Sequence, residues 1–242
     1  MNLKMSTQEQ WYPPKANWLG NAFGCPPFDV VNQMLYQAVK DNPDNDEPAQ
    51  IIGKLMLIGR TYSASVERRK TNGTAKDERQ ALDVIIEAAH AIAQSDVHDL
   101  LAKIPRPAVL SLRNIDQATA IHAQLCKALS AANKRENSSL ASKYLHFHRP
   151  NFFPIVDSLA RLSWSWVMDA RGESYRGYTT FGKVARYGEW CKKVLNLQND
   201  MKAQFAHDVS LRQVDNYLLS IMSLDGKGGW GLPVLINQVR AD

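Results

Sequence analysis

Ile51, Leu55, Ile58, Tyr62 and Val66 return at intervals of three and four residues, the spacing that lines up one face of an α-helix. Helical patterning constrains this fold more than any other feature, because it runs along most of the chain. FDVVNQMLYQAVK reads as a first helix. A second opens at Pro48 and runs through GRTYSASVERRK to Lys70, where TNGT at 71–74 stops it. KDERQALDVIIEAAHAIAQ, SDVHDLLAKI, NIDQATAIHAQLCKALSAAN, SSLASKYLHFH, DSLARLSWSWVMDA, FGKVARYGEWCKKVLNL and SLRQVDNYLLSIMSL continue the series. Ser95-Asp96 and Asp157-Ser158 supply helix starts, and Asn133 a helix end. No two β-branched runs flank a hairpin turn, and no internal repeat or low-complexity tract occurs. The pattern predicts an all-α fold, one domain over 1–242, preceded by a proline-rich arm over 1–27 that Trp11 and Trp18 pin to the body.

Composition narrows the function classes. The chain has 242 residues, of which 45% are hydrophobic, enough for a substantial core. No apolar run reaches the roughly 18 residues that a membrane span needs. The N-terminus MNLKMSTQEQWYPP has no apolar signal core, so a cytoplasmic, monomeric protein without membrane contact is expected. Cys25, Cys126 and Cys191 are odd in number and far apart, which reads as reduced thiols. Net charge is +5. The excess concentrates in Lys54–Lys70, Lys127–Arg149 and Arg171–Lys193, while the loop DNPDNDE at 41–47 is acidic. Concentrated positive charge is what a phosphate-binding face requires.

Residues 131–158 carry the chemistry. A helix ends in the polar AANKREN, and a tight turn leads into a helix bearing Lys143. The X-Pro loop RPNFFPIV then delivers Asp157 to the next helix start. Two readings of this charged pair stand side by side. Asp157 caps its helix while Lys143 sits in solvent, or the two face each other across a substrate. SLASKYLHFH and FPIVDS, behind a helical hairpin, resemble the catalytic segment of the helix-hairpin-helix DNA glycosylase superfamily. Its pattern is a hairpin, a G-x-K-x-A helix and an apolar P-V-D or V-D-T. Here the turn reads NKRENS without glycine, and Lys143 and Asp157 stand 14 positions apart, about one helical turn closer than in familiar members.

The resemblance implies a glycosylase that flips a modified base out of double-stranded DNA and breaks its N-glycosidic bond, in repair or anti-phage defence. Asp157 would stabilise positive charge developing on the sugar and activate water or an amine. Lys143 would be the nucleophile of a lyase step or a phosphate or base contact. A cytosine- or guanine-derived lesion is the expected base, and no cofactor is expected. Ser158 takes the place of the hydroxyl residue that follows the family's aspartate. Tyr144, His146, His148, Arg149 and Trp164 are candidates for holding the extruded nucleotide, whereas Phe147, Phe152 and Phe153 read as core. Arg60, Tyr62 and Arg69 belong to a helix that is otherwise apolar, where a guanidinium pairs locally, as with Glu67, or reaches substrate. His122 and Cys126 share a helix face, yet no second such pair completes a metal site. GKGG at 226–229 lacks the rest of a nucleotide loop. The alternatives are a non-catalytic helical nucleic-acid-binding domain and a helical interaction protein that binds no nucleic acid.

Overall fold

The computed structural model describes residues 26–67, 78–161, 163–164, 185–206 and 208–222. These residues are helical and contain no strand. The fold class is all-α. In chain order the helices are α1 (Pro26–Asp41), α2 (Pro48–Thr61), α3 (Ala81–Ala93), α4 (Val97–Ala102), α5 (Ile115–Asn133), α6 (Ser138–His148), α7 (Ala185–Phe205) and α8 (Leu211–Met222). A further helical stretch opens at Ser158. Among the described residues no helix is long and apolar enough to cross a membrane. The N-terminal arm up to residue 25, the loop at 171–180 and the tail from 223 lie outside the described residues.

Helix α5 is the hub and packs against α3, α4, α6 and α7. Its inward face carries Ala118, Ile121, Leu125, Ala128, Leu129 and Ala132. These oppose Val84, Ile85, Ala88, Ala89 and Ile92 of α3. Alanines interleaved with branched residues on both helices allow close approach without voids. Gly188 does the same for α7, since a Cβ there would sit 2.9 Å from Thr119 Oγ1 of α5. Helix α6 then fills the space beside α1, α2 and α5. Every residue from Leu140 to His148 is buried, so this helix has no solvent face along that span. One apolar cluster runs from Leu35 to Leu218 through all the packed helices.

The second helix stops earlier than its periodicity predicts. It ends at Thr61, and Ser63 takes a left-handed conformation, φ 50°. The chain then folds back over Gly59, where Ala64 N donates to the Gly59 carbonyl and any Cβ would lie 3.2 Å from Ser65 Cα. Val66 is buried as its spacing suggests, but it arrives from a loop. Helix α7 runs to Phe205, beyond the expected end at Leu197.

Candidate functional site

The α5–α6 hairpin is closed by two asparagines. Lys134 ends α5 in the left-handed region, φ 56° and ψ 24°, a conformation that favours glycine. Asn133 and Asn137 hold the turn by exchanging amide hydrogen bonds at 2.9 Å in both directions. Asn133 also donates to the Val66 carbonyl at 2.7 Å and accepts from Arg135 N at 3.0 Å. Side-chain amides therefore close this turn without a glycine. Asn137 spends its side chain inside the turn and gives no side-chain cap to α6.

The connector after α6 is extended and clamped residue by residue. His146 Nδ1–H donates to the Phe153 carbonyl at 2.9 Å, and Tyr36 O–H donates to its Nε2 at 2.7 Å. Tyr187 O–H donates to the Pro154 carbonyl, Trp190 Nε1–H to the Ile155 carbonyl. Ser142 Oγ accepts from Val156 N at 3.0 Å. Proline at 154 offers no N–H, and its neighbours' buried carbonyls still need donors. His146, Tyr187 and Trp190 supply those donors, Ser142 takes the Val156 N–H, and together they fix where Asp157 emerges.

Asp157 fits neither reading of the sequence whole: it caps its helix, yet Lys143 lies buried in direct contact with it and not in solvent. Its Oδ1 accepts the N–H of Ala160 at 2.8 Å, a helix cap, while its Oδ2 faces Lys143 Nζ at 3.4 Å. Lys143 is 3% exposed and donates to Ser139 Oγ at 2.8 Å. Its ammonium stands 5.5 Å from the centre of the Tyr62 ring. The Arg212 guanidinium of α8 stands 5.9 Å from that same ring and pairs with Asp215 at 2.5 Å. Tyr62 O–H donates to Asn32 Oδ1 of α1. Burial pushes the Tyr62 phenol up to about 12 and the Asp215 carboxyl up to about 6.

Two clefts meet at Asp157. The larger, about 690 Å³, has His122, Cys126, Tyr187 and Trp190 among its lining, with Lys127, Lys134, Arg135, Arg161 and Arg186 set against Glu136 and Asp157. The smaller, about 440 Å³, is lined by Tyr62, Lys143, Ser158 and Leu159 and shares Arg135, Glu136, Ser139, Asp157 and Arg161 with the first. Five basic side chains against two acidic ones give the larger cleft a positive field. His122 donates to the Ser138 carbonyl at 3.1 Å and stacks on Tyr187 at 3.8 Å. Burial lowers its pKa to about 4 and pushes the Cys126 thiol up to about 12, so neither is poised as a charged ligand or nucleophile.

The sequence-predicted residues divide into two groups. Lys143, Asp157, Tyr62 and Ser158 come together at the smaller cleft. Tyr144, His146 and His148, expected as walls for a nucleotide, are interior instead. Tyr144 O–H donates to Asn45 at 2.6 Å, His146 clamps the connector, and His148 is wholly enclosed beside Tyr144. Burial holds the His146 ring neutral, with its pKa lowered to about 3. Arg149 donates to the carbonyls of Leu101, Ile104 and His148 and so ties α6 to the end of α4. Trp164 is buried beneath Lys193 at 4.2 Å. Arg60 is exposed at the end of α2, and Arg69 lies outside the described residues. Sequence reading missed Ser139, Ser142, Tyr187, Trp190, Arg212 and Asp215; only Ser139 and Ser142, one turn before and one residue before Lys143, carried a local signal. Set against protein-family models, curated proteins and solved structures, the chain matches none.

Proposed function

We propose that this chain is a cytoplasmic DNA glycosylase that excises a modified base from duplex DNA with Asp157 and Lys143. The observation that carries this reading is the buried Lys143 facing a partly exposed Asp157 at 3.4 Å, at the meeting point of two clefts rimmed by cations. Lys127, Lys134, Arg135, Arg161 and Arg186 suit the phosphates on either side of an extruded nucleotide. Breaking the N-glycosidic bond builds positive charge at C1′ of the sugar. The Asp157 carboxylate, its Oδ1 fixed by the Ala160 N–H and its position clamped by the connector, offers preorganised negative charge for that moment. Its Oδ2 is free to take a proton from attacking water or from the Lys143 amine. If Lys143 attacks C1′ itself, the base leaves and an imine forms on the opened sugar, from which strand cleavage follows.

The test is abasic-site formation on duplexes carrying a panel of oxidised, alkylated and hypermodified bases. Asp157→Asn keeps the oxygen that caps the helix and loses the charge, so excision is expected to fall about 100-fold or more. Borohydride trapping of a covalent adduct, lost in Lys143→Gln, identifies the amine as nucleophile. No excision on any substrate in the panel overturns the reading.

A second reading has its own support. Lys143 lies closer to Ser139 than to Asp157, and Asp157 is already in use as a cap, which suits a non-catalytic nucleic-acid-binding domain. Salt-dependent duplex binding without abasic-site formation identifies that case.

A further inference from the structure

We propose that Asp215 of α8 is a positioning residue for the Lys143–Asp157 pair: held by Arg212, whose guanidinium stands by the Tyr62 ring, it sets the charge balance in which that pair works. The inference rests on the pair being the reactive one, as proposed above. Three observations carry it. Arg212 and Asp215 are turned inward from α8, with side chains 15% and 4% exposed, although both are charged. Both cations stand against the Tyr62 ring, with Lys143 Nζ at 5.5 Å and Arg212 Cζ at 5.9 Å from its centre. Asp215 Oδ1 is buried and has no hydrogen-bond partner among the described residues, as is true of Asn32 Nδ2 next to the Tyr62 hydroxyl. A carboxylate oxygen kept in such a place costs stability, and a use for its charge would account for its retention.

The arithmetic of charge supplies that use. Lys143 and Arg212 are two cations, Asp157 and Asp215 two anions, so the ionised group sums to zero. One proton on Asp215 leaves a net positive charge beside the pair and strengthens the positive field acting on Asp157. Burial raises Asp215 to about 6, with the Asp157 charge adding to that rise while Arg212 and Lys143 oppose it. The other titratable groups packed here are Tyr62 just past the end of α2, Tyr36 of α1 and His146 of α6. Tyr62 is raised to about 12 and His146 lowered to about 3, the latter bonded to Tyr36; Tyr62 and His146 keep a constant charge between pH 5 and 8. Asp215 thereby couples α8, remote in sequence, to a pair that lies within one hairpin and its connector.

Carboxyl ¹³C NMR titration tests this without requiring catalysis. The Asp215 resonance is expected to titrate near 6. Its midpoint should fall by about half a pH unit or more in Asp157→Asn and rise by a similar amount in Lys143→Gln. Midpoints unmoved in both variants, with amide spectra confirming the fold, overturn the proposal. On a substrate that the wild type excises, Asp215→Asn, which mimics the protonated acid, is expected to change the rate about tenfold at pH 8 and less than twofold at pH 5, with Asp215→Glu restoring the profile. A uniform loss at every pH marks Asp215 as merely structural and also overturns it. If Asp215→Asn fails to fold, the two titrations on the other variants decide. A wild type that titrates as expected yet excises nothing removes the glycosylase reading and leaves the coupling standing.

Discussion

Lys54 and Lys143 are near twins with opposite surroundings. Each projects from a helix, is 3% exposed and lies over a tyrosine ring, Lys54 over Tyr144 at 5.6 Å and Lys143 over Tyr62 at 5.5 Å. Lys54 gives its three protons to three oxygens: the Asn42 carbonyl at 3.0 Å, the Asp44 carbonyl at 2.5 Å and Asn45 Oδ1 at 3.0 Å. Its capacity is filled, and what it does is fasten the acidic loop to α2. Lys143 has one short bond, to Ser139, one long contact, to Asp157, and a cleft in front of it. Burial alone therefore does not mark a functional lysine. Incomplete coordination next to open space is what the proposal for Lys143 adds to it.

Breaking each lysine separates the two roles. Lys54→Met strands two backbone carbonyls and leaves Asn45 Oδ1 with Tyr144 as its one donor, at an expected cost of about 2–3 kcal/mol in urea unfolding. Lys143→Met leaves a carboxylate that water still reaches and a serine hydroxyl, so about 1–2 kcal/mol is expected. If the two costs prove equal, the distinction between them fails. Ser142→Ala sharpens the comparison from the connector side. It orphans the buried Val156 N–H, and about 1–2 kcal/mol is expected together with a larger loss of excision than of stability. The smallest effect is on pH dependence. Burial lowers Lys54 from 10.5 to about 8, against the pull of Asp44 and Asp46. Between those values the unfolded chain binds the additional proton, so stability rises as pH climbs through 8 towards 10.5. About 1 kcal/mol between pH 8 and 9 is expected. That increment should vanish in Lys54→Met, as urea midpoints at the two pH values will reveal.

Much of this was legible in the chain, for local reasons. Ser138-Ser139 marks the start of α6, the prolines at 150 and 154 mark an extended connector, and Asp157 stands at a helix start. Those signals act over a few residues, which is how far propensity reaches. The clamps do not work locally. Tyr187 and Trp190 reach carbonyls 33 and 35 positions earlier, and nothing in FGKVARYGEWC signals that. Tyr144, His146 and His148 misled for a different reason. A polar side chain on a helix enclosed on every side looks the same in sequence as one facing a substrate. Only Asn45, Tyr36 and the Phe153 carbonyl, brought in by other segments, reveal that Tyr144 and His146 are internally satisfied. The early stop of α2 had no glycine or proline to announce it, because a serine adopts the left-handed turn.

The two ring donors on α7 make that helix a gauge for the distant acid. They sit three residues apart and so share one side of the helix. Sliding α7 by a single position would swing both through about 100° and pull their hydrogen atoms off the connector they grip. The carboxylate would then drift with its tether. Substitutions along α7 that shift its seating against α5, far from any reacting atom, should therefore register first as a misplaced acid and only later as a weakened protein.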